Sequence, residues 1–100
     1  TIVIRDTKQT TENLTILRRQ IDELDNSLLE LLGKRMRVSK EIGTYKKEHN
    51  MPILQVQRYD EILKDRVAQA EKMDMSGDFM KTVLIAIHEE SIRQQMMIMK

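Results

Sequence analysis

Apolar residues recur every three or four positions along the first half of this chain, and no other feature constrains the fold as strongly. They are Leu14, Leu17, Ile21, Leu24, Leu28, Leu31, Val38, Ile42 and Tyr45. A heptad stripe of this length, with no proline before Pro52, predicts one long amphipathic helix over residues 13–48. Gly33 and Gly43 weaken such a helix by up to about 1 kcal/mol each, but they leave its period intact.

The second half of the chain predicts two further helices. Residues 54–72 have a helical apolar pattern, and the stretch MDMSGD at residues 73–78 is a turn signal. Ser76 or Asp78 is the predicted N-cap of a third helix over residues 79–99. The sequence has only three glycines and one proline in 100 residues, and it therefore predicts an all-α fold with three helices per chain.

The first residues differ in character from the rest of the chain. Residues 1–11, TIVIRDTKQTT, combine a short β-branched run with a threonine-rich polar stretch, which is typical of a leader or linker. We therefore expect one domain over residues 12–100. The chain begins with threonine and not with methionine, which favours a domain taken from the C-terminal side of a longer fusion protein.

Composition excludes several classes of function. Seventeen Lys and Arg against sixteen Asp and Glu give a net charge of +1, so the total charge does not favour nucleic acid or an anionic membrane as a partner. No cysteine is present for a disulfide or a thiolate site, and neither His49 nor His88 has a partner at metal-ligand spacing, so we expect no metal. No apolar run approaches the ~18 residues of a membrane span, which indicates a cytoplasmic protein.

The length of the first helix predicts a homodimer. A helix over residues 13–48 spans about 54 Å, whereas the radius of gyration of a compact domain of this size is near ~13 Å. The two later helices are too short to cover the whole leucine stripe, so a second copy of the chain is expected to cover the rest. The alternative is a hinge at Gly33 that folds the first helix back on itself.

Charged side chains lie where the apolar stripe predicts apolar ones. Arg35 takes a stripe position, and Lys46 returns to within about 20° of it on the helix. Burying an unpaired guanidinium costs several kcal/mol, so something anionic should meet Arg35. Further polar residues at or near inward positions of the later helices are Arg58, Ser91 and Gln95. Cations and neutral donors without a nucleophile or base suit a small dicarboxylate, and a reaction assisted by electrostatics.

Each of these residues also has a purely structural interpretation. A carboxylate such as Glu30 or Glu41 could neutralise Arg35 inside the protein. Ser91 and Gln95, four residues apart, could make an interhelical hydrogen bond. Arg58 could extend its side chain into solvent.

Three spaced motifs resemble the all-helical class of chorismate mutases. LRRQIDELDNSLLELLGKRMRVSKEIGTYK at residues 17–46 is similar to the first helix of that family. PILQVQRYDEIL at residues 52–63 resembles the entry to its second helix, and EESIRQQ at residues 89–95 resembles its closing motif. The resemblance covers residues 12–97 without insertions.

The resemblance implies a cofactor-free isomerase and an intertwined homodimeric helical bundle with shared active sites. The reaction is the Claisen rearrangement of chorismate to prephenate in phenylalanine and tyrosine biosynthesis. By the resemblance, Lys46 and Gln95 donate to the ether oxygen as its bond breaks, and Ser91 assists at a carboxylate. The arginines that hold the two substrate carboxylates are Arg18, Arg35 and Arg58.

Two details modify this carry-over. The family usually has an Asp and a Glu that receive the ring hydroxyl of the substrate, where this chain has Gln55 and Tyr59. Arg18 precedes Lys46 by about 42 Å of helix, so one chain cannot bring both residues to one small substrate. We therefore expect the partner subunit to supply Arg18, with the two first helices crossing near Leu28 and Leu29.

Other interpretations of the same residues remain open. The first is an isochorismate–pyruvate lyase, a relative on the same fold with similar cations. The second is a non-catalytic helical interaction or regulatory domain, in which protein carboxylates pair with Arg35. The resemblance also allows fusion to another aromatic-pathway enzyme: 3-deoxy-D-arabino-heptulosonate-7-phosphate synthase, prephenate dehydratase or prephenate dehydrogenase.

Overall fold

Three helices make up the part of the chain that the structure describes. The structure is a computed structural model that describes residues 2–99, with side chains described over residues 11–99. The helices are α1 (Ile2–Glu48), α2 (Val56–Lys72) and α3 (Gly77–Met99), and no strand occurs among the residues described. The all-α class, the three helices and the long first helix are thereby confirmed.

Helix α1 begins eleven residues before the predicted start. Neither glycine nor proline occurs before Gly33, so nothing in the backbone chemistry ends the helix on its N-terminal side. The Thr15 hydroxyl donates to the Thr11 carbonyl at 3.0 Å, one helical turn away. Most of the predicted linker is therefore helical, while Thr1 lies outside the described residues. The division into a leader and a domain stays a prediction.

Helices α1 and α2 end in the same way. After α1, Asn50 has a φ of 55°, and the Met51 amide donates to the Lys46 carbonyl at 2.8 Å. After α2, Asp74 has a φ of 62°, and the Met75 amide donates to the Ala70 carbonyl at 2.9 Å. These are Schellman ends, in which Asn or Asp replaces the usual glycine. They fix the last turn of α1, which carries Lys46.

Helices α2 and α3 pack against each other. Ala70 of α2 and Leu84 of α3 are buried. Ser76 caps α3, because its hydroxyl accepts a hydrogen bond from the Phe79 amide at 3.3 Å. Helix α2 begins two residues later than predicted, since Gln55 has the non-helical angles φ −115° and ψ 85°.

Two compact units divide the chain, one up to Lys34 and one from Arg35 onward. In the first unit the apolar stripe is exposed, with side chains from Leu14 to Leu31 between 42% and 63% accessible. The helical assignment continues through Gly33, so the described residues show no break there. No helix among the described residues has the length and apolar character needed to cross a membrane.

Candidate active site

A cavity of about 340 Å³ lies in the second unit, among the C-terminal part of α1, helix α2 and helix α3. Seven of the eight sequence-predicted site residues line it: Arg35, Lys46, Gln55, Arg58, Tyr59, Ser91 and Gln95. Five aliphatic residues add an apolar lining: Val38, Ile42, Ile53, Ile62 and Ile92. Small-ligand sites commonly have this composition, with a few polar groups in an apolar wall.

Lys46 is a buried cation held by two neutral acceptors. Only 9% of its surface is accessible. Its ammonium donates to the Ile53 carbonyl at 2.5 Å and to Gln95 Oε1 at 2.8 Å. Burial lowers the pKa of Lys46 below its usual value. Because an ammonium has three N–H groups, one donor is left for a ligand in the cavity.

Gln95 is held at both ends of its amide. While its Oε1 accepts from Lys46, its Nε2 donates to Ser39 Oγ at 3.2 Å and to Ser91 Oγ at 3.3 Å. Ser39 and Ser91 also share a short hydrogen bond between their hydroxyls. Among residues 11–99 no fully buried side-chain nitrogen or oxygen lacks a hydrogen-bond partner. The network fixes which atom of Gln95 faces Lys46.

Gly43 allows α3 to approach α1 at this point. A Cβ atom built on Gly43 would lie 3.1 Å from the Cα of Gln95 and 3.2 Å from its Cγ. Those distances are shorter than ordinary van der Waals contact between carbon atoms. The missing side chain therefore lets Gln95 reach the Lys46 ammonium.

Two arginines, Arg35 and Arg58, add positive charge to the cavity, and both are partly exposed to solvent, as the structural interpretation of Arg58 predicted. Burial, and then the positive charges of Arg66 and Arg58, lower the pKa of Arg35 below its ordinary value. Among the described residues no carboxylate lies within ion-pair distance of Arg35 or Lys46, since the ion pairs present involve other cations. Arg58 makes only a loose, exposed pair with Glu61 at 3.8 Å. An anion in the cavity would relieve the mutual repulsion of these cations.

One wall of the cavity is polar and without a carboxylate. The ring of Tyr59 lies against that of His88, with their centroids 3.8 Å apart. Gln55 Nε2 donates to the Pro52 carbonyl at 2.9 Å, which leaves its Oε1 as an acceptor. Burial, and then the charge of Arg35, lower the pKa of His88; Glu89 opposes them, and Lys46 adds a smaller lowering effect. This lowering favours the uncharged form of the imidazole.

The structural alternatives have different outcomes. Among the described residues of the second unit no carboxylate, Glu41 included, lies within ion-pair distance of Arg35, and Glu30 belongs to the first unit. Ser91 and Gln95 do make interhelical hydrogen bonds, and they line the cavity as well. Arg18, the eighth predicted site residue, is exposed and belongs to the first unit.

Two polar residues of the cavity, Ser39 and His88, were not among the predicted site residues. Ser39 lies one helical turn after Arg35, and that spacing alone could have placed it on the same face. The type and position of His88 indicate at most a metal ligand, and its packing against Tyr59 depends on how α2 and α3 are aligned, which the sequence does not show. A contact between helices is hard to infer from one sequence.

Comparison with known protein families matches residues 17–96 to the family described as chorismate mutase type II. A protein named T-protein from Enterobacter agglomerans is 37% identical over 78 residues, which cover 78% of this chain and 21% of the relative. A bifunctional chorismate mutase/prephenate dehydratase from Aquifex aeolicus is 35% identical over 81 residues, 81% of this chain and 22% of the relative.

A third relative is shorter. The protein named 4-amino-4-deoxychorismate mutase from Streptomyces pristinaespiralis is 28% identical over 83 residues, 83% of this chain and 64% of that protein. The chain thus spans about a fifth of the length of the first two relatives. The family match confirms the family that the sequence predicted.

Proposed function

The chain belongs to the chorismate mutase type II family, and we propose that its cavity binds chorismate and converts it to prephenate. The observation that carries the proposal is a cavity lined by Arg35, Lys46 and Arg58, with no carboxylate among its described lining residues. Chorismate has two carboxylates, so it supplies the negative charge that these cations lack. The aliphatic wall suits the carbon skeleton of the folded substrate.

Binding is proposed to orient the substrate. The guanidinium groups of Arg35 and Arg58 hold the carboxylates, and the Ser91 hydroxyl assists as an additional donor. Fixing both carboxylates folds the side chain of chorismate over its ring, which is the geometry that the rearrangement needs. The reaction is intramolecular and needs no proton transfer, and no cofactor is proposed.

Lys46 is proposed to act on the breaking bond. As the C–O bond breaks, negative charge gathers on the ether oxygen, and the third N–H of Lys46, which neither Ile53 nor Gln95 uses, is proposed to donate to it. A preorganised donor of this kind is typically worth about 2.7–4 kcal/mol. The predicted role of Gln95 as a second donor requires one of its N–H groups to leave a serine hydroxyl for the substrate.

A homodimer is proposed for the functional molecule. The stripe from Leu14 to Leu31 is exposed in the single chain, and burying it against a second copy removes apolar surface from water. Arg18 is proposed to serve the cavity of the partner subunit, because about 42 Å of helix separates it from Lys46. The crossing of the first helices near Leu28, the cytoplasmic location and the fused neighbour domain stay predictions.

The test is a product assay on the purified chain with two substrates. Chorismate is expected to disappear with formation of prephenate, whereas isochorismate should yield no salicylate. Arg35→Ala should raise KM for chorismate by about 10-fold or more, because a bidentate carboxylate contact is lost. Arg37→Ala, an exposed neighbour on the same helix, is the matched control.

Two results would overturn the proposal. Salicylate from isochorismate, without prephenate from chorismate, would make the chain a lyase. No turnover of either substrate by a folded chain would favour a non-catalytic interaction domain.

A further inference from the structure

The polar side chains of the cavity other than Arg35, Lys46 and Arg58 are neutral residue types. Of the groups that line the cavity, the arginines suit the two carboxylates of the proposed substrate and Lys46 suits its ether oxygen. Chorismate has one more polar group, the ring hydroxyl. Ser39 is hydrogen-bonded to Ser91 and Gln95, so the polar side chains left to meet the ring hydroxyl are Gln55, Tyr59 and His88.

These side chains are held in place before any ligand binds. The Tyr59 and His88 rings contact each other across α2 and α3, inclined by 40°, and both residues are half-buried. Gln55 is tied to the Pro52 carbonyl through its Nε2. Each residue presents a neutral acceptor: an amide oxygen, a phenol oxygen or an imidazole nitrogen.

The charges around His88 have one predominant sign. Burial lowers the pKa of His88 most, Arg35 of α1 lowers it further, Glu89 on its own helix raises it, and Lys46 of α1 lowers it least. Arg58 of α2 lines the same cavity. A neutral hydroxyl donates to such a wall without an electrostatic penalty. An ammonium at the same ring position would be desolvated among cations with no carboxylate on the wall to compensate.

We infer that Tyr59 and His88, with Gln55, form a neutral wall that receives the ring hydroxyl and makes this site reject a substrate with an ammonium there. The inference rests on the proposed function and names the substrate class of the same cavity. His88 thereby becomes a specificity-determining residue, although its type and position carry no such signal in the sequence.

The experiment compares kcat/KM for chorismate and for its 4-amino analogue, whose amine is protonated at neutral pH. The wild-type chain should prefer chorismate by at least about 100-fold. His88→Glu adds a carboxylate and should lower that preference by at least about 10-fold, because the ammonium gains a partner. His88→Gln, a neutral residue of similar size, should leave the ratio near the wild-type value.

A second pair of variants, at Tyr59, keeps the inference testable if the His88 variants do not fold. Tyr59→Glu should lower the preference in the same direction, and Tyr59→Gln should not. A wild-type ratio near one, or equal ratios in the Glu and Gln variants at both positions, would overturn the inference.

Failure of the proposed function gives a different result. In that case neither compound is turned over by the wild-type chain. Calorimetric titration of the same two compounds then decides the selectivity: tighter binding of chorismate supports it, and equal or weaker binding rejects it.

Discussion

Lys46 joins burial, charge and a free donor in a single side chain. Two of its three N–H groups bind protein oxygens, and the third is left for a ligand. Neither acceptor is a carboxylate, so the protein orients the charge without neutralising it. A dianionic substrate is then the group that gains most from this cation. The proposed catalysis depends on an ammonium group of Lys46 that the protein holds in a fixed orientation and does not neutralise.

The pH dependence of kcat/KM depends on the titrating groups of the cavity. Lys46 must keep its proton to act, and burial lowers its pKa from 10.5, so activity should fall at high pH with an apparent pKa below 10.5. The pKa of His88 is lowered from 6.5, which moves its titration to the acid side. We therefore expect a flat kcat/KM between about pH 7 and 8.

The measurement is a pH profile of kcat/KM, with Lys40→Ala as the control because Lys40 is exposed on the same helix. The control should reproduce the wild-type profile. A narrow bell centred near pH 7 would show instead that an acid–base pair carries the reaction.

At the scale of elements, the site depends on how closely α3 approaches α1. Residues Arg35, Ser39, Ile42 and Lys46 succeed one another at steps of three and four, so they lie along one face of α1. Gly43 lies beside that face, where the backbone of α3 passes at Gln95. The close approach lets one amide bridge Ser39 and Lys46.

Gly43→Ala should therefore damage activity more than it damages the helix. Alanine favours helix by up to about 1 kcal/mol, but its Cβ would lie 3.1 Å from the Gln95 Cα and push α3 away. We expect kcat to fall about 10-fold or more, because Gln95 would move away from Lys46 and their hydrogen bond would be weakened. Steady-state kinetics and thermal unfolding measure the two effects.

Gly33→Ala is the matched control for this prediction. Gly33 lies in the same helix, and no atom of the described residues crowds the Cβ that it would gain. The control should keep wild-type kcat and unfold at the same or a higher temperature. Equal kcat values for Gly43→Ala and the wild-type protein would show that the close approach of α3 to α1 has no role in catalysis.

The sequence predicts the helices well because their signal is local. Period, proline and capping residues are readable in one chain, and they place the ends of α1 and α2 and the start of α3 within about two residues. The N-terminal end of α1 was missed because a threonine-rich stretch lacks a strong stop signal. Which residues of two helices face each other, such as Tyr59 and His88, depends on tertiary packing and could not be predicted from the sequence.

The candidate site was predictable where a charged residue occupies a position that the apolar stripe reserves for an apolar one. Arg35 and Lys46 stand out because charged groups on an apolar stripe require a partner. Ser39 does not stand out, since a serine is ordinary on a helix surface. Its hydrogen bonds to Ser91 and Gln95 become visible only when two helices are placed side by side.

For the whole molecule, the proposed dimer makes each active site a shared one. Arg18 then serves the cavity of the partner subunit, and Lys46 serves the cavity of its own. Separate Arg18→Ala and Lys46→Ala proteins should each have little activity. A dimer that contains one chain of each kind has one intact site of two. Random pairing makes about half of the dimers mixed, so the preparation should regain about a quarter of wild-type activity.

Mixed refolding of the two variants, followed by kinetics and a mass measurement, tests this prediction. Each variant refolded alone under the same conditions is the control. Activity no higher than the average of the two separate variants would place Arg18 outside the shared site. A mass of one chain, near 11.8 kDa, would reject the dimer itself.

The central claim is that a buried, unneutralised ammonium stabilises the breaking C–O bond of chorismate, and kcat of Lys46→Ala tests it most directly. The measurement uses chorismate at saturation, with Lys40→Ala as control and helix content checked for both proteins. We predict that kcat of Lys46→Ala falls by at least about 100-fold while the control is unchanged. Turnover of chorismate by a folded Lys46→Ala protein at the wild-type rate would contradict the claim.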